Sequence, residues 1–248
     1  MRILLSGYSG AMGRVITELL KENNRYIIVA GYSRTIAEGF DYPVYNNIFD
    51  IKEELDLIID FSNVGALATV LEYGLEKKLP MVIASTGFGD EEYEKIKKAS
   101  FYVPILQAGN MSLGVNILLD MLGKVAGSLK EFDVEIIEKH HRYKVDAPSG
   151  TAQMLVDAVK SGRGDVSRLV HGREGNQTKR QDGEIGVLSV RGGTIVGEHS
   201  VIFAGIDEVV EIKHTALSKR IFANGAMKAA DFIVGKTKGL YSMKDVIQ

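Results

Sequence analysis

The feature that most restricts the fold is Gly7-Tyr8-Ser9-Gly10-Ala11-Met12-Gly13. It lies between a short apolar run, residues 2–5, and a stretch, 15–21, where Val15, Ile16, Leu19 and Leu20 form the stripe of a helix. Strand, glycine-rich turn and helix in that order open a doubly wound parallel sheet, and glycines there let the backbone approach a pyrophosphate that the helix N-terminus faces. The spacing is G-x-x-G-x-x-G, not the commoner G-x-G-x-x-G. Glycines also make tight turns without ligands, so the placement of the turn, more than its composition, argues for a dinucleotide.

Later segments continue the same grammar. Residues 26–32 (YIIVAGY), 57–61 (LIIDF), 81–84 (MVIA) and 103–107 read as strands, with helices over 66–77 and 91–100. Near-continuous apolar strands alternating with helices indicate a parallel sheet covered on both faces. After Asn110 the pattern changes: a long amphipathic helix over 113–129, a strand over 132–139 and a helix over 150–160 begin a second domain. Three strand-like runs, 186–191, 194–203 and 208–214, suggest a meander of adjacent strands. A small-residue helix over 219–234 is expected to pack back on the first domain, and the polar 162–182 stretch reads as a flexible loop suited to a lid.

Composition narrows the chemistry. The 248 residues carry 30 Lys plus Arg against 32 Asp plus Glu, a formal charge of −2, which argues against a nucleic-acid partner bound by bulk charge. With 45% hydrophobic and 25% charged residues the chain can bury a core like an ordinary globular protein. The absence of Cys excludes disulfides, thiol nucleophiles and Cys-ligated metals. No apolar run reaches the roughly 18 residues that cross a bilayer. The opening MRILLSGYSG lacks a signal peptide's apolar stretch and cleavage site, so no membrane partner and a cytoplasmic location are expected.

Cofactor choice is written at the end of the second strand, where an acidic residue about 20 positions after the turn usually binds the ribose 2′-hydroxyl. Here that strand ends in Tyr32-Ser33-Arg34, a hydroxyl and a guanidinium that suit a 2′-phosphate. NADPH is therefore the expected preference. NADH use remains open through Glu38 or Asp41.

The densest chemical cluster is Glu138-Lys139-His140-His141-Arg142-Tyr143-Lys144-Val145-Asp146-Ala147-Pro148-Ser149-Gly150-Thr151. It sets two imidazoles, a guanidinium and an ammonium before a Ser-Gly-Thr helix start, whose free N–H groups and dipole also favour anions. That suits a small substrate with more than one carboxylate. The alternative is a solvated basic loop, while His171, His199 and His214 take a structural reading by default. Zinc is poorly supported, because no third ligand is suitably spaced and Arg142 and Lys144 would repel a cation. No G-x-S-x-G occurs for a Ser-His-Asp hydrolase.

Several runs together resemble the dihydrodipicolinate reductase family of the diaminopimelate route to lysine. They are GYSGAMG at 7–13, ASTGF at 84–88, AGNMSLGVN at 108–116, EKHHRYKVDAPSGTA at 138–152, RGGTIVGEH at 191–199 and FANGA at 222–226. The resemblance covers the whole chain, and HHRYKVDAPSGT is its most specific element. It implies hydride reduction of the dehydrated form of a cyclic hydroxy acid to tetrahydrodipicolinate. It implies acid–base roles for the positions of His140 and Lys144 and substrate contact for His141. Ser149, Gly150 and Thr151 match the donors that hold a substrate carboxylate. Gly7 to Met12, Arg34, Ala84, Ser85, Thr86, Ala108, Gly109, Asn110 and Met111 match stretches lining the dinucleotide. Ser33 replaces an acidic residue found in family members, and Gly109 stands where relatives often have Pro or Ala.

The implied fold class is α/β. A Rossmann-type dinucleotide-binding domain (1–111 and 220–248) joins an α+β substrate and tetramerisation domain (112–219) with an open mixed sheet, in a homotetramer closing about hinges near Ser112 and Arg220. Two other readings stand beside this one. Another nicotinamide enzyme, such as an amino-acid or imine dehydrogenase, would need a different pocket. A non-catalytic NADP-sensing module would have no use for the His–Lys cluster.

Overall fold

A computed structural model describes residues 1–21, 23–164 and 167–248. Among them the chain divides into two compact units, Met1–Leu113 with Lys219–Gln248, and Gly114–Ser218.

The first unit contains β1 (Arg2–Ser6), α1 (Ala11–Leu20), β2 (Ile27–Tyr32), β3 (Val44–Tyr45), β4 (Leu57–Asp60), α2 (Val64–Glu76), β5 (Met81–Ile83), α3 (Asp90–Ser100) and β6 (Pro104–Gln107). The second contains most of α4 (Leu113–Ser128), then β7 (Asp133–His140), α5 (Gly150–Arg163), β8 (Arg168–Val170), β9 (Glu184–Arg191), β10 (Gly197–Ala204) and β11 (Val209–Ala216). The chain then returns to the first unit with α6 (Arg220–Ile233), β12 (Gly239–Tyr241) and α7 (Met243–Ile247).

In the first unit seven parallel strands run in the order β12-β6-β5-β4-β1-β2-β3. The apolar strands follow from burial on both faces. Ile3 and Leu5 of β1 and Leu57 and Ile59 of β4 pack in one core with α1 and α6. Leu4 and Ile58, one residue out of phase, pack in the other with α2 and α3. A period of two then places an apolar residue at every position. The small residues of the last long helix, Ala223, Ala226, Ala229 and Ala230, lie in that first core, as expected of a helix that must approach the sheet closely. Strand order reverses on either side of β1, which places the ligand crevice of such sheets at the carboxyl ends of β1 and β4.

The second unit has a mixed sheet in the order β11-β10-β7-β9-β8. One face is covered by Leu118 and Leu122 of α4 and Leu155, Val156 and Val159 of α5, against Val134, Ile136, Val201 and Phe203. The expected meander is not what forms. β10 and β11 are an antiparallel pair, but β7 lies between β9 and β10, parallel to the first and antiparallel to the second. The chain crosses the end of β7 through Gly192 and Gly193. Gly192 N–H donates to His140 O (2.9 Å), Arg142 N–H donates to Gly193 O (3.2 Å), and Gly193 adopts a φ of +47° that favours glycine. Apolar periodicity marks strands without saying which strand lies beside which.

The 162–182 stretch also departs from expectation. It contains the end of α5 and all of β8, and Arg173 and Arg180 pair with Glu135 of β7, two strands away from β8, Arg173 reaching Glu184 as well. Asp165 and Val166, inside that stretch, lie outside the described residues.

Candidate active site

The glycine-rich turn links β1 to α1. Gly7 has φ +79° and a methyl on it would stand 2.6 Å from Phe61 O, while one on Gly13 would stand 2.3 Å from Tyr8 O, so the turn closes only with glycine at both. At Gly10 the same methyl would meet Gly7 O alone, at 3.3 Å. Gly10 caps α1 without a side-chain hydrogen bond, and Ala11 and Met12 open the helix. Bare backbone beside uncapped helix N–H groups fits the pyrophosphate of a dinucleotide. The Tyr8 ring is fully buried against Phe40 and Tyr42, its hydroxyl accepting from Ala37 N–H at 2.9 Å, so Tyr8 offers the turn only its backbone.

The other expected dinucleotide residues of this unit follow the carboxyl ends of its parallel strands. After β2, the Ser9 hydroxyl donates to the Ser33 hydroxyl at 3.1 Å, bringing Ser33 onto the turn. Arg34 is exposed and reaches Asn63 Oδ1 at 3.4 Å, beside the start of α2. After β5, Ala84 N–H donates to Asp60 O at 2.8 Å and the Ser85 hydroxyl donates to the Asp60 carboxylate, while Thr86 is exposed. Burial raises the Asp60 carboxyl, with the Ser6, Ser62 and Ser85 hydroxyls opposing it. After β6, Ala108 N–H donates to Ile83 O at 3.2 Å and Asn110 Oδ1 accepts from Ser112 N–H at 2.8 Å. Gly109 is exposed in this turn, and the buried Met111 belongs to the core.

The second cluster grows from the end of β7. The strand alternates, with Val134, Ile136, Glu138 and His140 pointing inward. The first two fill the core, and the last two continue the same face as a polar pair. Glu138 is completely buried and His140 nearly so. One carboxylate oxygen of Glu138 lies 2.6 Å from His140 Nδ1 and accepts from Arg191 Nη1 at 2.7 Å. The other accepts from Arg191 Nη2 at 2.7 Å and Ser149 N–H at 3.1 Å. Burial alone would raise the Glu138 carboxyl, but hydrogen bonds from Arg191 and His140 outweigh it and hold it at about 2. Burial lowers His140, Glu138 opposes, and the charges of Lys144 and Arg191 press it down further.

Strand register places Ser189, Glu138, His199 and His214 in one row across four strands. The rings of His140 and His199 meet edge to face at 5.2 Å, and His199 Nε2 lies 3.1 Å from the Ser149 hydroxyl. Ser149 caps α5, its hydroxyl accepting from Ala152 N–H at 3.2 Å. Gly150 follows, and a methyl there would meet nothing within 4 Å, so the helix start is open to approach. Thr151 completes the first turn. Lys144 Nζ stands 2.7 Å from Asp146 Oδ1. His141 is half-buried, its ring 6.4 Å from that of Tyr143 and its Nδ1 without a hydrogen-bond partner.

The structure thus brings His140, Ser149 and the start of α5 together around one buried carboxylate, and adds Glu138, Arg191 and His199 to the sequence-derived set. Glu138 could have been found from the period of two, which sets it with His140 on the core side of their strand. Arg191 and His199 arrive only through strand order. His171 is exposed and remote from these contacts.

Burial lowers the His199 imidazole from 6.5 to about 4, with the His140 charge adding to it. The folded state therefore binds this proton less readily than the unfolded chain, and the stability involved is complete above about pH 6.5 and lost as pH falls toward 4. His199→Asn is expected to flatten the fall in unfolding free energy between those values, measured by denaturant titration at stepped pH. An unchanged slope would mean that other groups carry the acid sensitivity.

Residues 1–111 match the family model described as Dihydrodipicolinate reductase, N-terminus, and residues 114–247 match Dihydrodipicolinate reductase, C-terminus. The chain belongs to the dihydrodipicolinate reductase family. The 4-hydroxy-tetrahydrodipicolinate reductase of Caldanaerobacter subterraneus subsp. tengcongensis is 44% identical over 248 residues, with 100% of this chain and 98% of the relative covered. That of Clostridium tetani is 46% identical over 244 residues, with 98% and 95% covered. A dipicolinate-bound dihydrodipicolinate reductase from Paenisporosarcina sp. TG-14 shares the fold at TM-score 0.77 and 21% identity, covering 100% of this chain and 99% of that one. A myo-inositol 2-dehydrogenase from Lactobacillus plantarum shares it at TM-score 0.61 and 13% identity, with 100% and 93% covered. As a member of this family the chain is a nicotinamide-dependent oxidoreductase of the diaminopimelate route to lysine.

Proposed function

We propose that this chain is a 4-hydroxy-tetrahydrodipicolinate reductase that prefers NADPH, in which the 1–113 and 219–248 unit takes the dinucleotide and the 114–218 unit takes a small dicarboxylate. The observation that carries this reading is the convergence of His140, the Ser149 cap and the open start of α5 on buried Glu138, inside a chain that matches the family along its length.

When bound, the dinucleotide supplies a hydride. Backbone N–H groups from Gly10 to Met12 would hold its pyrophosphate and Ser33 and Arg34 its 2′-phosphate, with the turns at Ala84–Thr86 and Ala108–Met111 available to hold the rest of it. The N–H groups of Gly150 and Thr151, with the Thr151 hydroxyl, bind one substrate carboxylate at the positive end of α5, and His141 contacts the substrate beside them. Lys144, an ammonium aligned by Asp146, gives a proton to the substrate as negative charge accumulates on it. His140 bears its proton on Nδ1, held by Glu138, and turns its bare Nε2 toward the substrate, where it takes up a proton and passes it on.

We further propose a homotetramer assembled through the sheet face that α4 and α5 leave uncovered. That face carries the exposed Val190 and Val209 and the Lys139–Glu198–Lys213 ion-pair row. Among the described residues no helix is long and apolar enough to cross a membrane.

The test is the loss of nicotinamide absorbance when the purified protein receives NADPH, and separately NADH, with substrate generated in place by a dihydrodipicolinate synthase. Turnover is expected with both and faster with NADPH. No turnover in a folded protein that still binds NADPH would favour a sensing module or another substrate.

A further inference from the structure

Beyond its contact with His140, Glu138 is a completely buried carboxylate that also meets Ser149 and Arg191, at the end of β7 and the start of α5. We propose that Glu138, clamped by Arg191, is a positioning residue that fixes the His140 ring and the start of α5 in one frame.

The argument begins with what the carboxylate touches. Its contacts include His140 Nδ1, Ser149 N–H, both terminal nitrogens of Arg191 and the Ser189 hydroxyl on the adjacent strand. Arg191 in turn donates to Asp146 O at 2.6 Å. The pair therefore holds the 140–149 segment at its first residue, near its middle and at its last, and Lys144 lies between those anchors.

An ionised carboxylate accepts and does not donate. The 2.6 Å contact consequently places the His140 proton on Nδ1 and leaves Nε2 free. A buried carboxylate held by a bidentate guanidinium cannot turn away to solvent, so the ring orientation is fixed as well as the tautomer. On the other side, Ser149 N–H lies just ahead of the turn formed by Gly150 and Thr151, so the same carboxylate sets the helix start. An ion pair serving stability alone would have no need to reach His140 Nδ1 and Ser149 N–H together.

This inference rests on the acid–base and carboxylate-binding roles proposed for those groups, and the experiment separates the two. Nitrogen-15 NMR of the histidine rings, with His140 assigned from the signal lost in His140→Gln, reads the tautomer without substrate or turnover. The intact protein is expected to show His140 with Nδ1 protonated and Nε2 bare. In Glu138→Gln the amide can turn its NH2 toward the ring, and the proton is expected to move to Nε2. In the same variant kcat is expected to fall about 100-fold or more, the order of loss when a reacting group is mis-set, with KM for NADPH unchanged.

Glu138→Gln leaves Arg191 without its partner and can unfold the domain, so the double variant Glu138→Gln with Arg191→Gln removes both charges. Its kcat is expected to stay low and its tautomer to stay shifted. A His140 ring already protonated on Nε2 in the intact protein would overturn the proposal. So would an unshifted tautomer in the variants, or recovery of kcat in the double variant. Failure of the unaltered protein to reduce the substrate would count against the function, while the tautomer reading would still decide on Glu138.

Discussion

Lys144→Ala is expected to lower kcat by roughly two orders of magnitude or more, the scale of a lost general acid, with NADPH affinity intact. The side chain sits at the edge of the His140–Ser149 cluster, partly shielded, with its ammonium 2.7 Å from Asp146. Burial would raise the Asp146 carboxyl, but the hydrogen bond and charge of Lys144 hold it below the ordinary range, so Asp146 is a carboxylate in the resting protein. A substrate carboxylate arriving at the start of α5 finds a positive charge that is tethered but not neutralised deep in the protein. Removing the ammonium takes away the proton source and leaves Asp146 as an unpaired anion beside an anionic substrate. KM for the dicarboxylate should therefore rise as kcat falls. Asp146→Asn separates the two effects: a tether can be lost at small cost in kcat, a proton donor cannot. Steady-state kinetics with synthase-generated substrate, and NADPH binding followed by fluorescence, would check the result. A near-normal kcat in Lys144→Ala would remove Lys144 from the mechanism.

These residues differ in how plainly the sequence displayed them. The turn at Gly7–Gly13 was legible because its signal is local: the glycines and the uncapped helix start follow one another in the chain, although what excludes a Cβ at Gly7 is Phe61, just after β4, while Gly13 is blocked by Tyr8 itself. The first sheet was legible because burial on both faces leaves a continuous apolar run at each strand. His140, Lys144, Ser149 and the α5 start were legible because one continuous segment carries them all. Arg191 and His199 were not. They reach Glu138 and Ser149 from strands far along the chain, and their arrival depends on β7 lying between β9 and β10. Sequence periodicity is silent on neighbour choice, and consecutive strands are commonly adjacent, so an expected meander placed β9 beside β10 and hid the row. The 162–182 segment misled for a related reason. Its polar composition resembles a loop, but Arg173 and Arg180 spend that polarity on Glu135 and Glu184 across the sheet.

Ser33→Asp is expected to reverse the cofactor preference, lowering the ratio of kcat/KM for NADPH over that for NADH by about 100-fold or more. In the folded chain the Ser33 hydroxyl accepts from Ser9 at 3.1 Å, so position 33, half-buried, faces the phosphate-binding turn. A carboxylate there would stand where the reading places the 2′-phosphate, and like charges brought together cost several kcal/mol, with about 1.4 kcal/mol for each tenfold. The same carboxylate could accept from the ribose 2′-hydroxyl of NADH, so the ratio moves from both ends. Arg34 provides the complementary measurement. Its guanidinium lies by the cap of α2 on a long contact of 3.4 Å to Asn63, a light tether that a phosphate could outcompete. Arg34→Ala should weaken NADPH and spare NADH, and the NADPH advantage in the unaltered protein should shrink with added salt, as expected of a charge contact near the surface. If Ser33→Asp leaves the ratio where it was, selection does not reside at the tip of β2. The exposed Glu38 and Asp41, in the loop that Tyr8 anchors through Ala37, would then be the residues that face the ribose.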